Sequence, residues 1–565
     1  MSSKGTELQF IANKHRFNKN DLALIEEDEY VAKVFPIVYI LFDERTMVAY
    51  IGETTNAKSR LTTHLSNIDK QKLEKVYIIS SSLFNKSAVL DIESYLIQSM
   101  PSLGFKLLNN NAGIANHNYY QRDMYSTLFN AIWPQLSFQN VKQKTLAEIE
   151  NSDIFKYSPY KTLTQEQFNS TVEILKDITQ EKKITTFVNG LAGTGKTILA
   201  IYLIKILTDY NKYDFDELAE FDESLGLVIT ELKKKYPSGL KIGFVVPMTS
   251  LRNTLSSVFE KTHGLSKKMV IGPSDVVKKE YDVLIVDEAH RLARRFAIIS
   301  YGAFDNTNLK LGLGNEGTQL DWVLKSSKHQ VLFYDSEQSI KPADVRKTDF
   351  DRVKMLPSST EIQLTSQLRS KGGKDYISFV DNLLNENIPT STKKFSNANY
   401  ELIMFNSMEK MVGVLRKKEA DYGLARMMSG YSWKWVSKRK RSTPDAIIDG
   451  IELTWNRVSK DWINSTTDPT EMGCIHTVQG YDLNYAGVIF GEEITYDKKT
   501  SRIRIHKEKY FDSMGKKALQ NHGELHDYII KIYKTMMYRG IKGTFIYVCD
   551  PELRKYFSSK MMHIT

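Results

Sequence analysis

The sequence predicts an α/β chain whose larger part is built on parallel sheet, preceded by a small α+β domain. Three observations predict it. From residue 163 to the end, β-rich runs alternate with helical ones, the pattern of strands joined by crossover helices. One of those strands, residues 185–189, runs into a glycine-rich loop and then an apolar helix over 198–207. Before residue 119 the runs are shorter, and two of them lie close enough to form a hairpin. With 565 residues the chain has room for about three to five domains and more than one buried core.

Composition narrows the class. Hydrophobic residues make up 41% and charged residues 25%, which is globular rather than disordered. Lys and Arg number 77 against 67 Asp and Glu, and the resulting +10 suits a polyanionic partner. Cys474 and Cys549 are the only cysteines, so a disulfide scaffold is excluded and a reducing cytoplasm is expected. No apolar run reaches the ~20 residues that span a bilayer; the longest, 34–42, contains Pro36. The polar N-terminus lacks a signal-peptide core, so neither secretion nor membrane insertion is expected.

The elements follow in order. Residues 1–30 form a polar segment ending near Glu26-Glu27-Asp28-Glu29, a run typical of a solvated face. The small domain is expected over 31–118. Its strands, 34–42 and 48–51, flank a hairpin turn at Asp43-Glu44-Arg45-Thr46. Its helices are 57–65 and 88–100, the second with Leu90, Ile92, Leu96 and Ile97 near helical spacing. Residues 119–160 read as a helical connector, 161–360 as the nucleotide-binding lobe, and 361–565 as a second lobe. The Asn- and Gly-rich stretch 302–317 and the basic stretch 434–441 read as insertions or surface loops.

Gly190-Leu191-Ala192-Gly193-Thr194-Gly195-Lys196-Thr197 between strand and helix is a phosphate-binding loop. Gly190, Gly193 and Gly195 let backbone N–H groups approach phosphate, and the helix N-terminus adds partial positive charge. Thr194 lies within the cradle. Lys196 would reach the β- and γ-phosphates of ATP, and the Thr197 hydroxyl would ligand Mg²⁺. A second buried strand, 283–286, ends in Asp287-Glu288-Ala289-His290. Asp287 would hold the metal's water shell and Glu288 would polarise the attacking water. Adjacent carboxylates at a buried strand end are costly unless a cation or donors satisfy them.

The flanking segments resemble superfamily 1 helicases. Leu163-Thr164-Gln165-Glu166-Gln167 is similar to the adenine-reading motif of that superfamily, which implies that the Gln167 amide pairs with the base. Thr164 and Gln167 also read as a capping box, and both readings can hold. Asp335-Ser336-Glu337-Gln338 follows the strand 331–334 and resembles the motif whose Gln338 would sense the γ-phosphate; a plain strand-end turn fits the local sequence equally well. The resemblance implies a γ-phosphate contact for Arg369 in Gln367-Leu368-Arg369. It implies coupling of nucleotide to DNA for His476-Thr477-Val478-Gln479-Gly480, including Gly480. Arg539 in Tyr538-Arg539-Gly540 would be a second arginine finger. Together with Ala425-Arg426-Met427-Met428-Ser429-Gly430-Tyr431-Ser432-Trp433, these segments are similar to a bacterial helicase-like ATPase family related to the ATPase portion of Schlafen proteins. The resemblance spans about 160–560 and implies two RecA-like P-loop lobes with ATP between them. The arginine segment is shorter than in processive helicases and no long inserted subdomain is visible, so hydrolysis is better supported than unwinding.

The small domain carries a second chemistry. Val38-Tyr39-Ile40, Tyr50-Ile51-Gly52, Arg60 and His64 resemble the GIY-YIG endonuclease signature, with Val38 where the name-giving glycine stands. Arg60 and His64, at i and i+4, share a helix face. The resemblance, over about 35–112, implies that Glu93 holds a divalent ion, Mg²⁺ or Mn²⁺, and that Arg60 stabilises phosphorane charge. It implies Tyr39 as general base, its pKa lowered by the metal and Arg60, with Tyr50 and His64 orienting water or phosphate. A late asparagine is expected from Asn109, Asn110 or Asn111. Read without the resemblance, Tyr39 and Tyr50 are core aromatics of a hairpin and Arg60 and His64 a solvated helix face.

Lys434-Trp435-Val436-Ser437-Lys438-Arg439-Lys440-Arg441 reads first as a solvated loop and second as a phosphate tracker, with Trp433 or Trp435 stacking on bases. Cys474 and His476 lack further ligands at metal spacing. The expected function is an ATP-dependent, metal-dependent DNA endonuclease with a helicase-like motor, acting in defence against foreign DNA. Its expected partner is DNA, RNA not being excluded, with a regulatory protein or a second copy open. Two alternatives stay open: an ATP-switched nucleic-acid sensor that does not translocate, and a repair or recombination helicase whose N-terminal domain only binds DNA.

Overall fold

The computed structural model describes residues 10–22, 25, 29–32, 34–109, 122–213, 222–298, 300–339, 342–389, 393–458, 462–478, 480–512, 516 and 522–564. Asn110, Asn111, Gln479, the side chain of His476 and most of the acidic run 26–29 lie outside them. The chain divides into two compact units. One comprises 1–179, 198–240 and 254–270; the other comprises 180–197, 241–253 and 271–565.

The first unit carries a five-stranded sheet. Its strands are β1 (Ile11–Arg16), β2 (Ile37–Asp43), β3 (Val48–Thr54), β4 (Lys75–Ser80) and β5 (Lys106–Leu107), in the order β1-β4-β2-β3-β5. β2 lies in the middle, antiparallel to β3 and β4, and every one of its residues is buried. That central place is why it reads as an unbroken apolar run rather than an alternating one. The strand starts at Ile37, not at 34, because Val34 has φ of +54° and Pro36 offers no N–H. The hairpin turn is made by Asp43, whose carboxylate accepts from the Arg45 N–H at 2.9 Å and the Thr46 hydroxyl at 2.8 Å.

Helix α1 (Ala57–Leu65) is capped by Asn56 and helix α2 (Lys86–Ser99) by Asn85, each accepting a backbone N–H of the first turn. The expected connector holds α3 (Arg122–Ile132) and two shorter helices. Its Phe129, Trp133, Phe138 and Tyr160 join Ile40, Ile79, Ile92 and Leu96 in one core, so it is built into the small domain rather than merely following it. Helix α4 (Gln165–Thr179) belongs to the same unit.

The second unit carries two parallel sheets. The first is β6 (Thr185–Gly190), β7 (Ile242–Val245), β8 (Val270–Ile271), β9 (Tyr281–Val286), β10 (Ser327–Tyr334) and β11 (Ser359–Leu364), in the order β11-β6-β10-β9-β7-β8. The other main sheet uses β12 (Glu401–Phe405), β13 (Ala425–Ser429), β14 (Ala446–Ile448), β15 (Ile451–Trp455), β16 (Glu471–Cys474) and β17 (Leu483–Phe490). A separate hairpin, β18 (Ile494–Asp497) with β19 (Arg502–Ile505), follows, and β20 (Gly540–Val548) and β21 (Met562–Ile564) complete the sheet. Its order is β14-β15-β16-β13-β17-β20-β12-β21, parallel except for the β14–β15 hairpin. Central β17 and β20 are buried nearly throughout, as parallel strands covered on both faces must be.

Helix α5 (Lys196–Asp209) follows β6 directly. The stretch 302–317 is not the loop its composition predicts. Most of it is helix α6 (Tyr301–Lys310), anchored by Phe304 against Trp322 at a ring separation of 4.5 Å. The Asn308 amide donates to the Gly314 and Gly317 carbonyls, each at 3.1 Å, and accepts the Trp322 indole N–H at 2.6 Å. Tertiary contacts thus override weak helix propensity. The stretch 434–441 is an ordered turn without regular secondary structure.

Candidate active sites

The nucleotide-type site forms where three parallel strands end side by side. β10 lies between β6 and β9, so the residues that follow each strand converge at one sheet edge. After β6 comes the loop 190–197, after β9 come Asp287 and Glu288, and after β10 comes Asp335. The Thr197 hydroxyl donates to Asp287 Oδ2 at 2.8 Å across 90 residues of sequence. Lys196 is buried. Its ammonium donates to the Gly190 and Leu191 carbonyls at 2.6 and 3.0 Å and lies 3.5 Å from Asp335 Oδ2.

Asp335 also accepts from the Gln338 amide at 2.6 Å, and Gln338 Oε1 accepts from the Arg539 guanidinium at 3.4 Å. Lys196, Asp335, Gln338 and Arg539 therefore form one chain of polar contacts spanning both sheets of the unit. Burial and the neighbouring Glu288 push Asp287 upward, against the pull of Thr197 and Lys196. Burial also pushes Glu288 upward, but His290, Lys196 and Arg539 overrule it and hold that carboxyl below its usual range. His290 Nε2 lies 2.9 Å from Glu288 Oε2. Glu288 takes φ of +49°, a left-handed conformation that costs a non-glycine residue about 1–2 kcal/mol.

Arg369 approaches the same loop by its backbone. The Leu368 and Arg369 N–H groups donate to the Gly193 carbonyl at 2.8 and 3.2 Å, and the Gln367 amide donates to the Ala192 carbonyl at 2.8 Å. Gly193 has φ of +83°, and a Cβ there would come within 2.1 Å of Gln367 Oε1, so only glycine permits this seat. The Arg369 guanidinium points elsewhere, onto Asp482 at 2.6 Å. Gly480, with φ of +88°, abuts Met248 and Leu251 rather than the loop. Gln167, in the other unit, accepts the Thr164 N–H at 3.1 Å while Thr164 accepts the Gln167 N–H at 3.2 Å, the reciprocal cap of α4.

The second constellation lies on β2, β3, α1 and α2. Tyr39 on β2 faces Gly52 on β3, and a Cβ on Gly52 would meet the Tyr39 hydroxyl oxygen at 2.2 Å. That hydroxyl lies 2.7 Å from His64 Nε2, and Arg60 bonds the hydroxyls of both Tyr39 and Tyr50. The Tyr50 and His64 rings meet edge to face at 5.0 Å, and Lys70 covers Tyr50 at 3.5 Å. Glu93 on α2 accepts the Glu53 backbone N–H; burial and the Glu53 carboxylate raise it to about 8. Glu53 pairs with Lys86 at 2.5 Å, while its other oxygen is buried without a partner.

Asn109 does not join the cluster. Its side-chain amide donates to the Ile51 carbonyl at 2.8 Å and accepts the Ile51 N–H at 3.0 Å, pinning β3 as a strand neighbour would. From the protein's own groups, burial and Tyr50 raise Tyr39 well above its ordinary value, and Arg60 offsets only part of this. His64 moves oppositely. Burial, helped by Lys70 and Arg60, takes it from 6.5 to about 3, so it is neutral and, in one tautomer, accepts a hydrogen bond from the Tyr39 hydroxyl.

Two predictions arise here. Gly52→Ala should displace the Tyr39 ring and cost about 1–3 kcal/mol, read from the urea midpoint; an unchanged midpoint would refute the tight fit. His64 contributes stability that is present above pH 6.5 and lost as pH falls toward 3. Glu93 acts in the opposite sense, its contribution being lost as pH rises from 4.5 to about 8. Comparison with His64→Gln separates them: the urea midpoint of the variant should fall less between about pH 7 and about pH 5 than that of the parent. Equal falls would contradict a buried neutral His64.

Asp335 and His290 stand in the sequence motifs without a role there, and Glu53 is not singled out by them. Asp335 carried the same signal as Asp287, an acid ending an apolar run, and His290 stands two residues after Glu288. Nothing local marked Glu53, whose meaning comes from Glu93 and Lys86. Both sites suit a divalent cation. One holds a fully buried carboxylate beside a hydroxyl, and the other a half-buried carboxylate pair, Glu53 and Glu93, with one buried unsatisfied oxygen. Among the described residues no three His, Cys, Asp or Glu side chains converge as an all-protein cage.

A phosphate loop and paired acids on one parallel sheet, with a second parallel sheet contributing an arginine, define a helicase-like P-loop ATPase class. A compact hairpin domain precedes it. The family model of the Schlafen group 3, DNA/RNA helicase domain matches residues 183–550, and that of the GIY-YIG catalytic domain matches 35–103. The chain belongs to the Schlafen group 3 helicase family and carries an N-terminal GIY-YIG domain. It is similar to the uncharacterized protein YPL245W of Saccharomyces cerevisiae, 26% identical over 399 residues, 65% of this chain and 82% of that one. Among solved structures, Pif1 helicase from Candida albicans matches at 11% identity over 70% of this chain and 97% of its own, with TM-score 0.27. S. cerevisiae Dbp5 bound to RNA and ADP BeF3 matches at 11% over 73% and 93%, with TM-score 0.29. Among the described residues no helix is long and apolar enough to cross a membrane.

Proposed function

We propose that the protein is an ATP-dependent DNA endonuclease in which the GIY-YIG domain cleaves and the helicase-like ATPase drives or gates access to DNA. The observation that carries this reading is the presence of two separately built phosphate chemistries in one chain: Tyr39, Arg60, His64 and Glu93 in one unit, Lys196, Thr197, Asp287 and Glu288 in the other. In the ATPase, Lys196 leaves its loop carbonyls for the β- and γ-phosphates, Thr197 and Asp287 hold Mg²⁺, and Glu288 orients water. Gln338 and Arg539 serve the γ-phosphate, Arg369 would have to leave Asp482 to join them, and the resemblance assigns Gln167 to the adenine and Gly480 to the segment linking nucleotide to DNA. A bound divalent ion supplies positive charge at each reacting phosphate. In the nuclease, Glu93 holds that ion and Arg60 donates to the phosphate oxygens. Tyr39 acts as general base toward the attacking water, and Tyr50 and His64 orient water or phosphate.

The domain limits proposed are 31–118 for the nuclease, 161–360 and 361–565 for the two lobes. A cytoplasmic defence role against foreign DNA is proposed from the union of nuclease and ATPase. The test incubates the full chain with plasmid DNA and Mg²⁺, with and without ATP, beside Glu93→Ala and Lys196→Ala. Cleavage should require Glu93, ATP and Lys196. Cleavage indifferent to ATP and Lys196 would instead make the ATPase a separate sensor. Cleavage that survives Glu93→Ala would remove the nuclease assignment.

A further inference from the structure

We infer that the loop joining β13 to β14 grips the phosphodiester backbone of nucleic acid without reading its sequence. The inference rests on the proposed function and adds the contact surface. The loop leaves the carboxyl end of β13 and places Lys434, Lys438, Arg439, Lys440 and Arg441 within eight residues, half of the chain's surplus of ten. All five are exposed, and among the described residues none pairs with a carboxylate. Elsewhere in the same lobe several cations are paired: Arg416 with Asp468, Lys418 with Glu401, Arg457 with Glu471 and Lys534 with Asp381.

The loop is built rather than loose. Asp445 accepts the Ser437 N–H at 2.8 Å and the Trp455 N–H at 2.7 Å, a staple that ties the middle of the loop to β15. The Arg439 and Lys440 N–H groups both donate to the Val436 carbonyl at 3.1 Å. Trp435 stands edge-on against Trp455 at 5.7 Å, with Lys438 over its ring at 4.8 Å. Trp435 is therefore an anchor, and Trp433 packs against the same core. Both indoles are half-buried against that core, so the contact proposed here rests on charge rather than on base stacking.

Five like charges held on a fixed turn repel one another, and an anion relieves that cost. Protein interfaces are depleted in lysine, whereas phosphate contacts are made chiefly by Lys and Arg. Backbone contacts carry no sequence information. The surface thus fits a nucleic acid strand better than an acidic protein.

The test uses the full chain carrying Glu93→Ala, so that the probe is not cut. Binding is measured to fluorescent oligonucleotides of about 30 nucleotides, as single-stranded DNA, RNA and duplex in two unrelated sequences, across a salt series. Lys438→Ala/Arg439→Ala/Lys440→Ala should weaken binding to the preferred strand at least about tenfold at low salt. It should also flatten the plot of log affinity against log salt by about two to three. Arg441→Ala alone, which leaves the Asp445 staple intact, should flatten it by about one. ATP affinity and the thermal midpoint should not move. An unchanged slope in the triple variant overturns the inference while leaving the proposed function standing. A parent chain that binds none of the probes overturns both. Affinity that follows base sequence overturns backbone-only recognition.

Discussion

Glu288→Gln is expected to lower ATP turnover at least about 100-fold while nucleotide still binds. Glutamine keeps the shape of the side chain and its left-handed backbone, so the geometry at the end of β9 is preserved. What it loses is a carboxylate that His290, Lys196 and Arg539 hold ionised against the push of burial. Lys196 and Thr197 bond the loop carbonyls, Asp335 and Asp287, so the nucleotide cradle is untouched. Phosphate release and titration of a fluorescent nucleotide separate the two effects. Undiminished hydrolysis would remove Glu288 from the reaction, whereas lost binding would show that the pair Asp287–Glu288 acts as a structural unit.

Arg60→Ala is expected to reduce single-turnover DNA cleavage by about 100- to 1000-fold with ATP hydrolysis intact. Arg60 is the group on which the nuclease cluster turns, since it bonds the hydroxyls of Tyr39 and Tyr50 and counters part of the rise in Tyr39. Its removal leaves Tyr39 in a buried site with no cation to favour ionisation, and removes the fork that faces phosphate. Arg60→Lys should rescue little, because a point charge cannot serve two hydroxyls and a phosphate in one plane. Cleavage at the parental rate in Arg60→Ala would assign the domain to binding alone.

The elements that sequence reading placed well are those specified by neighbours in the chain. α1 was legible as 57–65 because its cap, Asn56, and its apolar positions are local. The phosphate loop was legible because eight consecutive residues carry it. The stretch 302–317 was not, because its helix depends on Trp322 beyond its end. The connector was read as helical, but its place in the nuclease core depends on Ile40, Ile79 and Leu96 far upstream.

By itself the sequence determined the two domain families, the order of their motifs and the residue types proposed to act in them, since each rests on short contiguous patterns. The tertiary structure decided which residues meet. Parallel pairing of β6, β10 and β9 puts Asp335 beside Lys196 across 139 residues, and the second sheet delivers Arg539 to Gln338 across 201. It also decided protonation. Burial raises Tyr39 and Glu93 and lowers His64, and burial is a property of packing from all sides, which no run of neighbouring residues encodes.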